Sequence, residues 1–163
     1  MSTIEIRTAN PGDDDAIWAI FQEVVASGDT FPFSPDTPRQ HALEFWMHPQ
    51  NATYVAVVDR QIVGSYYLKP NQPGLGAHVC NAGYMVARRV RGQGLGRAMG
   101  EHSLAEARRL GYRAMQFNIV VTTNAPAVTL WKSLGFQVVG TLPDAFRHSE
   151  YGLVDALVMY RSL

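Results

Sequence analysis

The 163-residue sequence predicts a single mixed α/β domain, a central sheet with helices on both faces. Three observations carry that expectation. Short segments of alternating or continuous apolar residues recur along the chain, as in Ile4-Glu5-Ile6 and Tyr54-Val55-Ala56-Val57-Val58. Apolar residues at helical spacing lie between them, as in Ile17, Ile20, Phe21 and Val24. Glycine and proline fall at the junctions, at Pro11-Gly12, Gly111 and Gly135. Hydrophobic residues make up 47% and charged residues 17%, enough apolar surface for one sizeable core. No repeat or linker divides the sequence, so residues 1–163 form one domain.

Taken in order, Ile4–Arg7 alternates and forms a first strand. Pro11-Gly12-Asp13-Asp14 starts a helix whose stripe is Ile17, Trp18, Ile20, Phe21, Val24 and Val25. Gly28–Pro38 carries too much proline for a helix or a central strand. It makes a substrate-side loop with Thr30, Phe31 and Phe33, and a short helix follows over Arg39–Met47. Tyr54–Val58 and Ile62–Leu68 flank Asp59-Arg60-Gln61 as a hairpin, with Tyr66 and Tyr67 on opposite faces. Lys69–Gly76, rich in proline and glycine, reads as a loop. The fourth strand spans about Asn81–Val86. A helix from Gly94 to about Leu110 places Leu95, Ala98, Met99, Ala105 and Leu110 on one face with a packed His102, and Leu104 departs from this division. Ala114–Val120 makes the fifth strand. Thr123-Asn124 caps a helix that holds Pro126 in its first turn and stops at Gly135. Gln137–Thr141 and Leu153–Tyr160 complete the sheet, separated by a loop around Pro143.

Lys plus Arg and Asp plus Glu both total 14. That balance argues against broad attraction to nucleic acid or an anionic membrane. Cys80 is the single cysteine, so no internal disulfide forms, which suits a reducing compartment. With no apolar run resembling a signal peptide or a membrane span, the cytoplasm is the expected location. The histidines are scattered without metal-ligand spacing, so no metal is expected. No serine sits in a nucleophile elbow.

Chemistry concentrates in Arg91-Gly92-Gln93-Gly94-Leu95-Gly96, placed between a strand and a long helix. The spacing is neither the dinucleotide fingerprint Gly-x-Gly-x-x-Gly nor a P-loop, which needs Gly-Lys-Ser/Thr. What remains is a compact nest of backbone amides at a helix start, where partial positive charge collects and a diphosphate fits. The same glycines would also serve a bare tight turn. Arg88 and Arg89 can neutralise phosphate from outside that loop or stand as solvated surface.

The chain resembles the GCN5-related N-acetyltransferase (GNAT) family over nearly its full length. Arg91-x-x-Gly94-x-Gly96 matches the family's acetyl-coenzyme A signature, and Asn124-x-x-Ala127-x-x-Leu130-Trp131-x-x-x-Gly135-Phe136 matches its later motif. Within the family it looks most like fungal enzymes acting on proline analogues such as azetidine-2-carboxylate. Lys69–Gly74, Cys80–Gly83 and Phe117-Asn118 carry that closer likeness. The resemblance implies a GNAT fold whose fourth and fifth strands splay apart, acetyl-coenzyme A as cofactor, a small-molecule amine as substrate and a homodimer. It assigns the cofactor to Met85, Val86, Arg91, Gly92, Gln93, Gly94, Leu95, Gly96, Arg97, Asn124 and Trp131. A backbone amide near Met85 or Val86 would face the thioester carbonyl, and Asn124 would both cap its helix and flank the pantetheine arm.

One departure from the family stands out. The residue after Leu130 is commonly tyrosine, the presumed thiol-side acid, whereas Trp131 offers only an N–H donor. Tyr84 is the candidate replacement, or the thiolate leaves unaided. Thr30, Phe31, Asn81 and Asn118 are expected around the acceptor, Asn118 with a catalytic role, although neither asparagine can act as a base. Two alternatives stay open: a non-catalytic acyl-coenzyme A sensor, and acetylation of a protein or antibiotic amine.

Overall fold

A computed structural model describes residues 2–163. Seven strands form one sheet in the order β1-β2-β3-β4-β5-β7-β6. They are β1 Glu5–Thr8, β2 Ala52–Val58, β3 Gln61–Pro70, β4 Val79–Val86, β5 Ala114–Val121, β6 Gln137–His148 and β7 Gly152–Ser162. The helices are α1 Asp14–Ala26, α2 Arg39–Trp46, α3 Leu95–Arg109 and α4 Ala125–Ser133. Helices α1 and α2 cover one face, where Ile17, Phe21, Trp46, Val55, Tyr67 and Met85 pack together. Helices α3 and α4 cover the other, over Tyr66, Leu68, Met99, Leu104, Met115 and Trp131. This is the mixed α/β architecture with helices on both faces that the sequence predicts. No helix among the described residues is long and apolar enough to cross a membrane.

Every neighbouring pair in the sheet is antiparallel except β4 and β5, which run parallel. Their pairing is confined to Val79↔Ala114, Cys80↔Met115 and Asn81↔Gln116. Past Asn81 the two strands part. On β4 the register with β3 continues without a break to Val86, so the gap opens on one side of β4 only. On β5 the register with β7 slips between Phe117 and Val120. That irregularity re-aims Asn118 and Ile119 away from the ladder.

Three elements differ from expectation. Lys69 and Pro70 belong to β3, paired with Asn81 and Cys80, so the loop begins only after them. Pro143 does not separate two strands but sits in an irregularity within β6 between Leu142 and Phe146, where proline's missing N–H costs nothing and Asp144 adopts φ 52°. The buried stripe of α3 is Leu95, Met99, Gly100, Ser103, Leu104 and Ala107, while Ala105 and Leu110 face solvent. The phase is set by small residues at the tightest contacts. A Cβ at Gly100 would lie 2.7 Å from Leu134 Cδ1, and Ser103 Oγ lies 2.6 Å from Tyr84 Oη. His102 packs as expected, its Nδ1 2.6 Å from Tyr66 Oη, and burial lowers its pKa.

Candidate active site

A cleft of about 1280 Å³ passes through the gap between β4 and β5. One end is bounded by Arg91–Arg97 and the start of α4, the other by the loop at residues 27–33 and the β6–β7 turn at residues 148–151. Which backbone groups face the gap follows from the β3–β4 ladder. Ala87 N–H donates to Val63 O and Asn71 N–H to Val79 O, so odd-numbered residues of β4 exchange their bonds with β3. Past the last pair with β5, Tyr84 and Val86 therefore turn N–H and C=O toward β5, where no ladder partner meets them. Met85 lines the cleft but does not offer its backbone to the slot. Its backbone groups are directed to Ser65 and its side chain lies in the α1/α2 core at 2% exposure. Tyr84 and Val86 carry the amides that face the slot.

At the nearer end, Gly92 (φ 76°) and Gly94 (φ 82°) take the left-handed conformation that glycine alone adopts readily. Gly94 is the N-cap of α3 and offers no side-chain acceptor to the first turn. Among the described residues, none of the amides from Gly92 to Arg97 donates to an acceptor in the protein; the first helical bond is Ala98 N–H to Gly94 O. Six consecutive unfilled donors at a helix start, beside glycines whose Cβ positions are open, form an anion cradle. Arg91 and Arg97 border it, and Arg97 also reaches Ser133 Oγ at 2.7 Å. Leu95 is anchored in the core, whereas Gln93 is exposed and does not line the cleft. Arg88 and Arg89 do not line it either. The Arg88 amide donates to Glu23 and the Arg89 guanidinium to Gln61.

Asn124 caps α4, accepting from Ala127 N–H at 3.4 Å, and lines the cleft. Trp131 lies against Tyr84 and Phe117, each at 4.7 Å between ring centroids, and borders the same space. With a donor cradle at one end, an unpaired strand edge leading from it and aromatic residues lining the other end, the cleft suits a long ligand with an anionic head. The profile of the acetyltransferase (GNAT) family matches residues 17–136.

The chain belongs to the GNAT acetyltransferase family. Its structure superposes on that of a GCN5-related N-acetyltransferase from Kribbella flavida with a TM-score of 0.94 and 45% identity, covering 98% of each chain. It is 31% identical to the L-amino acid N-acetyltransferase AaaT of Escherichia coli across 99% of each protein. It is also 30% identical to the N-acetyltransferase aca1 of Schizosaccharomyces pombe, over 82% of this chain and 72% of that one. Membership makes the chain an acetyltransferase and supports acetyl-coenzyme A-dependent N-acetyl transfer as its chemistry.

The phenol of Tyr84, the candidate acid, is already engaged. The phenol lies on the α3/α4 side, bonded to Ser103 Oγ and 3.6 Å from Met115 Sδ. Burial pushes its pKa well above the ordinary tyrosine range. The two asparagines are partly engaged. Asn81 Nδ2 donates to Gln116 O at 3.0 Å and braces the last β4–β5 pair. Asn118 Nδ2 donates to Asn71 Oδ1 at 2.8 Å, and its Oδ1 accepts from Gln116 Nε2. Both line the cleft, and each keeps a second amide N–H and free carbonyl lone pairs for a substrate. Cys80 is buried, and desolvation raises its thiol to about 12, which removes it as a nucleophile.

The acceptor end holds Thr30 and Phe31 as expected, together with residues the sequence does not signal: Phe45, Tyr67, Lys69 and the β6–β7 turn. Thr30 Oγ1 is buried without a hydrogen-bond partner. Phe31 packs edge-on to Trp46 and Phe45 edge-on to Tyr67. Tyr67 lies over Gly83, where a Cβ would stand 2.8 Å from its hydroxyl, and burial raises that phenol to about 12. The turn is tied to the loop by Ser149 N–H to Gly28 O and Ser149 Oγ–H to Ser27 O. His148 Nδ1 accepts the amides of Glu150 and Tyr151, so the ring proton sits on Nε2 and this nitrogen donates rather than accepts. Asp29 and Glu150 are the carboxylates lining this end.

Proposed function

We propose that the chain transfers the acetyl group of acetyl-coenzyme A to the amine of a small molecule, an amino acid or a proline-like analogue. The observation that carries this reading is the run of unfilled amides from Gly92 to Arg97 leading into the unpaired edge of β4. Those residues fit the cofactor: the cradle suits its diphosphate, and Tyr84 and Val86 offer a strand edge to its amide-containing arm. Bound there, acetyl-coenzyme A supplies an acetyl group activated as a thioester. The chain's own contribution is electrostatic and positional. The N–H groups of Tyr84 and Val86 are fixed donors for a carbonyl oxygen in the slot, and one such donor contributes about 3 kcal/mol in acyl transfer. The acceptor must attack as a free amine, and Asp29 or Glu150 can take its proton directly or through water. With Trp131 in place of an acid and Tyr84 bonded to Ser103, the thiolate leaves without a side-chain proton from either.

The amino-acid reading draws on the mixed charge of the acceptor end and on the relative that acts on L-amino acids. The proline-analogue reading rests on Lys69–Gly74, Cys80–Gly83 and Phe117-Asn118, of which Lys69, Asn81, Ala82, Gly83, Phe117 and Asn118 line the cleft. Incubation with acetyl-coenzyme A and a panel of amino acids, proline analogues, polyamines and peptides, followed by thiol release and product mass spectrometry, tests it. Amine-dependent turnover of amino acids is the expected result. Tight coenzyme binding with no turnover on any amine would favour an acyl-coenzyme A sensor instead. A homodimer is proposed as well: β6 is an edge strand exposed along most of its length, with Val138, Val139 and Leu142 uncovered. Sedimentation at low micromolar concentration checks it, and a monomer there would reject it.

A further inference from the structure

Lys69 is in an unusual position for a lysine. It lies on β3 opposite Asn81, on the same sheet face as Tyr67 and inside the acceptor end of the cleft. Its Nζ rests 4.6 Å from the centroid of Phe45 and 5.7 Å from that of Tyr67, so two aromatic faces hold the ammonium in place. Among the described residues no carboxylate pairs with it and no side chain accepts a hydrogen bond from it. Asp29 and Glu150 line the same end without contacting it. A positioned cation with its donors unspent, in a cleft, is arranged for an anion that the protein itself does not supply.

We infer that Lys69 binds the carboxylate of the acceptor, so that the enzyme selects α-amino acids over amines lacking that group. The inference rests on the N-acetyltransferase reading and names the feature of the substrate that the site recognises. The register gives the direction. The Lys69–Asn81 pair lies two residues along the ladder from Tyr67–Gly83, roughly 7 Å at strand spacing, and the free amides of Tyr84 and Val86 lie beyond. A carboxylate held at Lys69 therefore leaves the α-amine directed along β4 toward those donors. The site suits a monoanion. A phosphonate dianion would bring a second charge toward Asp29 and Glu150 against one lysine, and a plain amine would leave the ammonium unpaired.

The test compares Lys69→Met and Lys69→Arg with the native chain on matched ligands: L-azetidine-2-carboxylate against its carboxamide, and L-methionine against L-methioninamide. Methionine keeps the stem over the aromatic shelf, and a thermal melt verifies folding. In the native enzyme kcat/KM favours each carboxylate over its amide. K69M lowers kcat/KM for the carboxylates by about tenfold to a hundredfold, the range of a charge-assisted hydrogen bond, and leaves the amides within threefold. K69R retains part of the preference, and coenzyme A affinity stays unchanged in both variants. Calorimetric binding of the same ligands to the coenzyme A complex gives a readout free of turnover. Discrimination there that disappears in K69M upholds the carboxylate site even if no acetyl transfer is seen, in which case only the catalytic reading falls. Equal binding and turnover of carboxylate and amide by the native chain, or a K69M variant that keeps the native preference, overturns the inference.

Discussion

Gly94 and Gly111 allow the cofactor cradle to be tested against its own internal control. Both are left-handed, with φ 82° and 89°, one at the start of α3 and one just past its end, and a Cβ on either meets nothing within 4 Å. An alanine at either site therefore carries only the conformational cost of an L-residue in that region, about 1–2 kcal/mol. For a chain of this size each kcal/mol lowers the melting temperature by roughly 2–4 °C. The two variants should lose similar stability without ligand. They should differ toward coenzyme A, because the open space above Gly94 borders the cleft and that above Gly111 does not. Displacing a diphosphate from one charge-assisted bond costs about 1.5–3 kcal/mol, which raises Kd by roughly tenfold to more than a hundredfold.

Differential scanning fluorimetry without ligand and calorimetric titration with coenzyme A measure the two quantities separately. G94A should lose affinity and G111A should keep it, at matched melting temperatures. Amine preference, measured as the ratio of kcat/KM values across the panel, should be unaltered in both. If folded G94A binds coenzyme A as tightly as the native chain, the donors at residues 92–97 do not hold the cofactor and the reasoning from the cradle fails.

Gly83→Ala should raise KM for the amine more than Kd for coenzyme A, because its Cβ would stand 2.6 Å from Tyr67 Cε1 in a ring held by Phe45 and Trp46; overpacking of this kind costs about 1–3 kcal/mol by denaturant titration. Tyr84→Phe should leave kcat within threefold while costing about 1 kcal/mol for the lost bond to Ser103, and a hundredfold fall in kcat would restore the phenol as an acid. Asp13→Asn should destabilise by about 1–2 kcal/mol, since Asp13 accepts two bonds from the half-exposed Arg7 and one from Asn10 N–H at the entry to α1. Hydrogen bonding from Arg7 holds the Asp13 carboxyl below the usual range, so its stabilisation is fully present above about pH 4 and fades as pH falls through the lowered folded value. Melting curves of the native chain and D13N should therefore converge in acid, and a constant gap down to pH 2 would contradict the assignment.

Sequence reading reaches the cofactor half of the site because that half is local. Arg91 to Arg97 is one turn and one helix start, and both its glycine torsions and its unfilled amides are properties of neighbouring residues. Alternation likewise locates β4 and β5, and three register pairs fulfil the splay that the family resemblance implies. The acceptor half is not local. It joins the loop after α1, the end of β3 and the turn after β6, held together by contacts such as Ser149 to Ser27, 122 residues apart. Nothing near His148 or Lys69 in sequence marks them as neighbours of Thr30. For the asparagines residue type suggests substrate donors, and the fold commits one N–H of Asn81 to Gln116 and one of Asn118 to Asn71 while leaving both in the cleft. The stripe of α3 was hidden for a packing reason, since Gly100 and Ser103 carry little hydrophobic signal yet occupy the closest approaches.

The gap between β4 and β5 is held open by the core beneath it. Tyr84 from β4, Phe117 from β5 and Trp131 from α4 meet under the slot, with Phe117 also stacked on Phe136 at 4.4 Å. Closing the strands would recover a few ladder bonds worth about 1 kcal/mol each. It would also force Trp131 out of a site where it is 9% exposed, and loss of a buried tryptophan's packing costs about 3–5 kcal/mol. The aromatic wedge therefore outweighs the sheet's tendency to zip, and the register slip in β5 removes two residues from the ladder that would drive closure. Trp131 thus has a sufficient physical role without any proton chemistry. It keeps the amides of Tyr84 and Val86 available to a ligand at no reorganisation cost on binding.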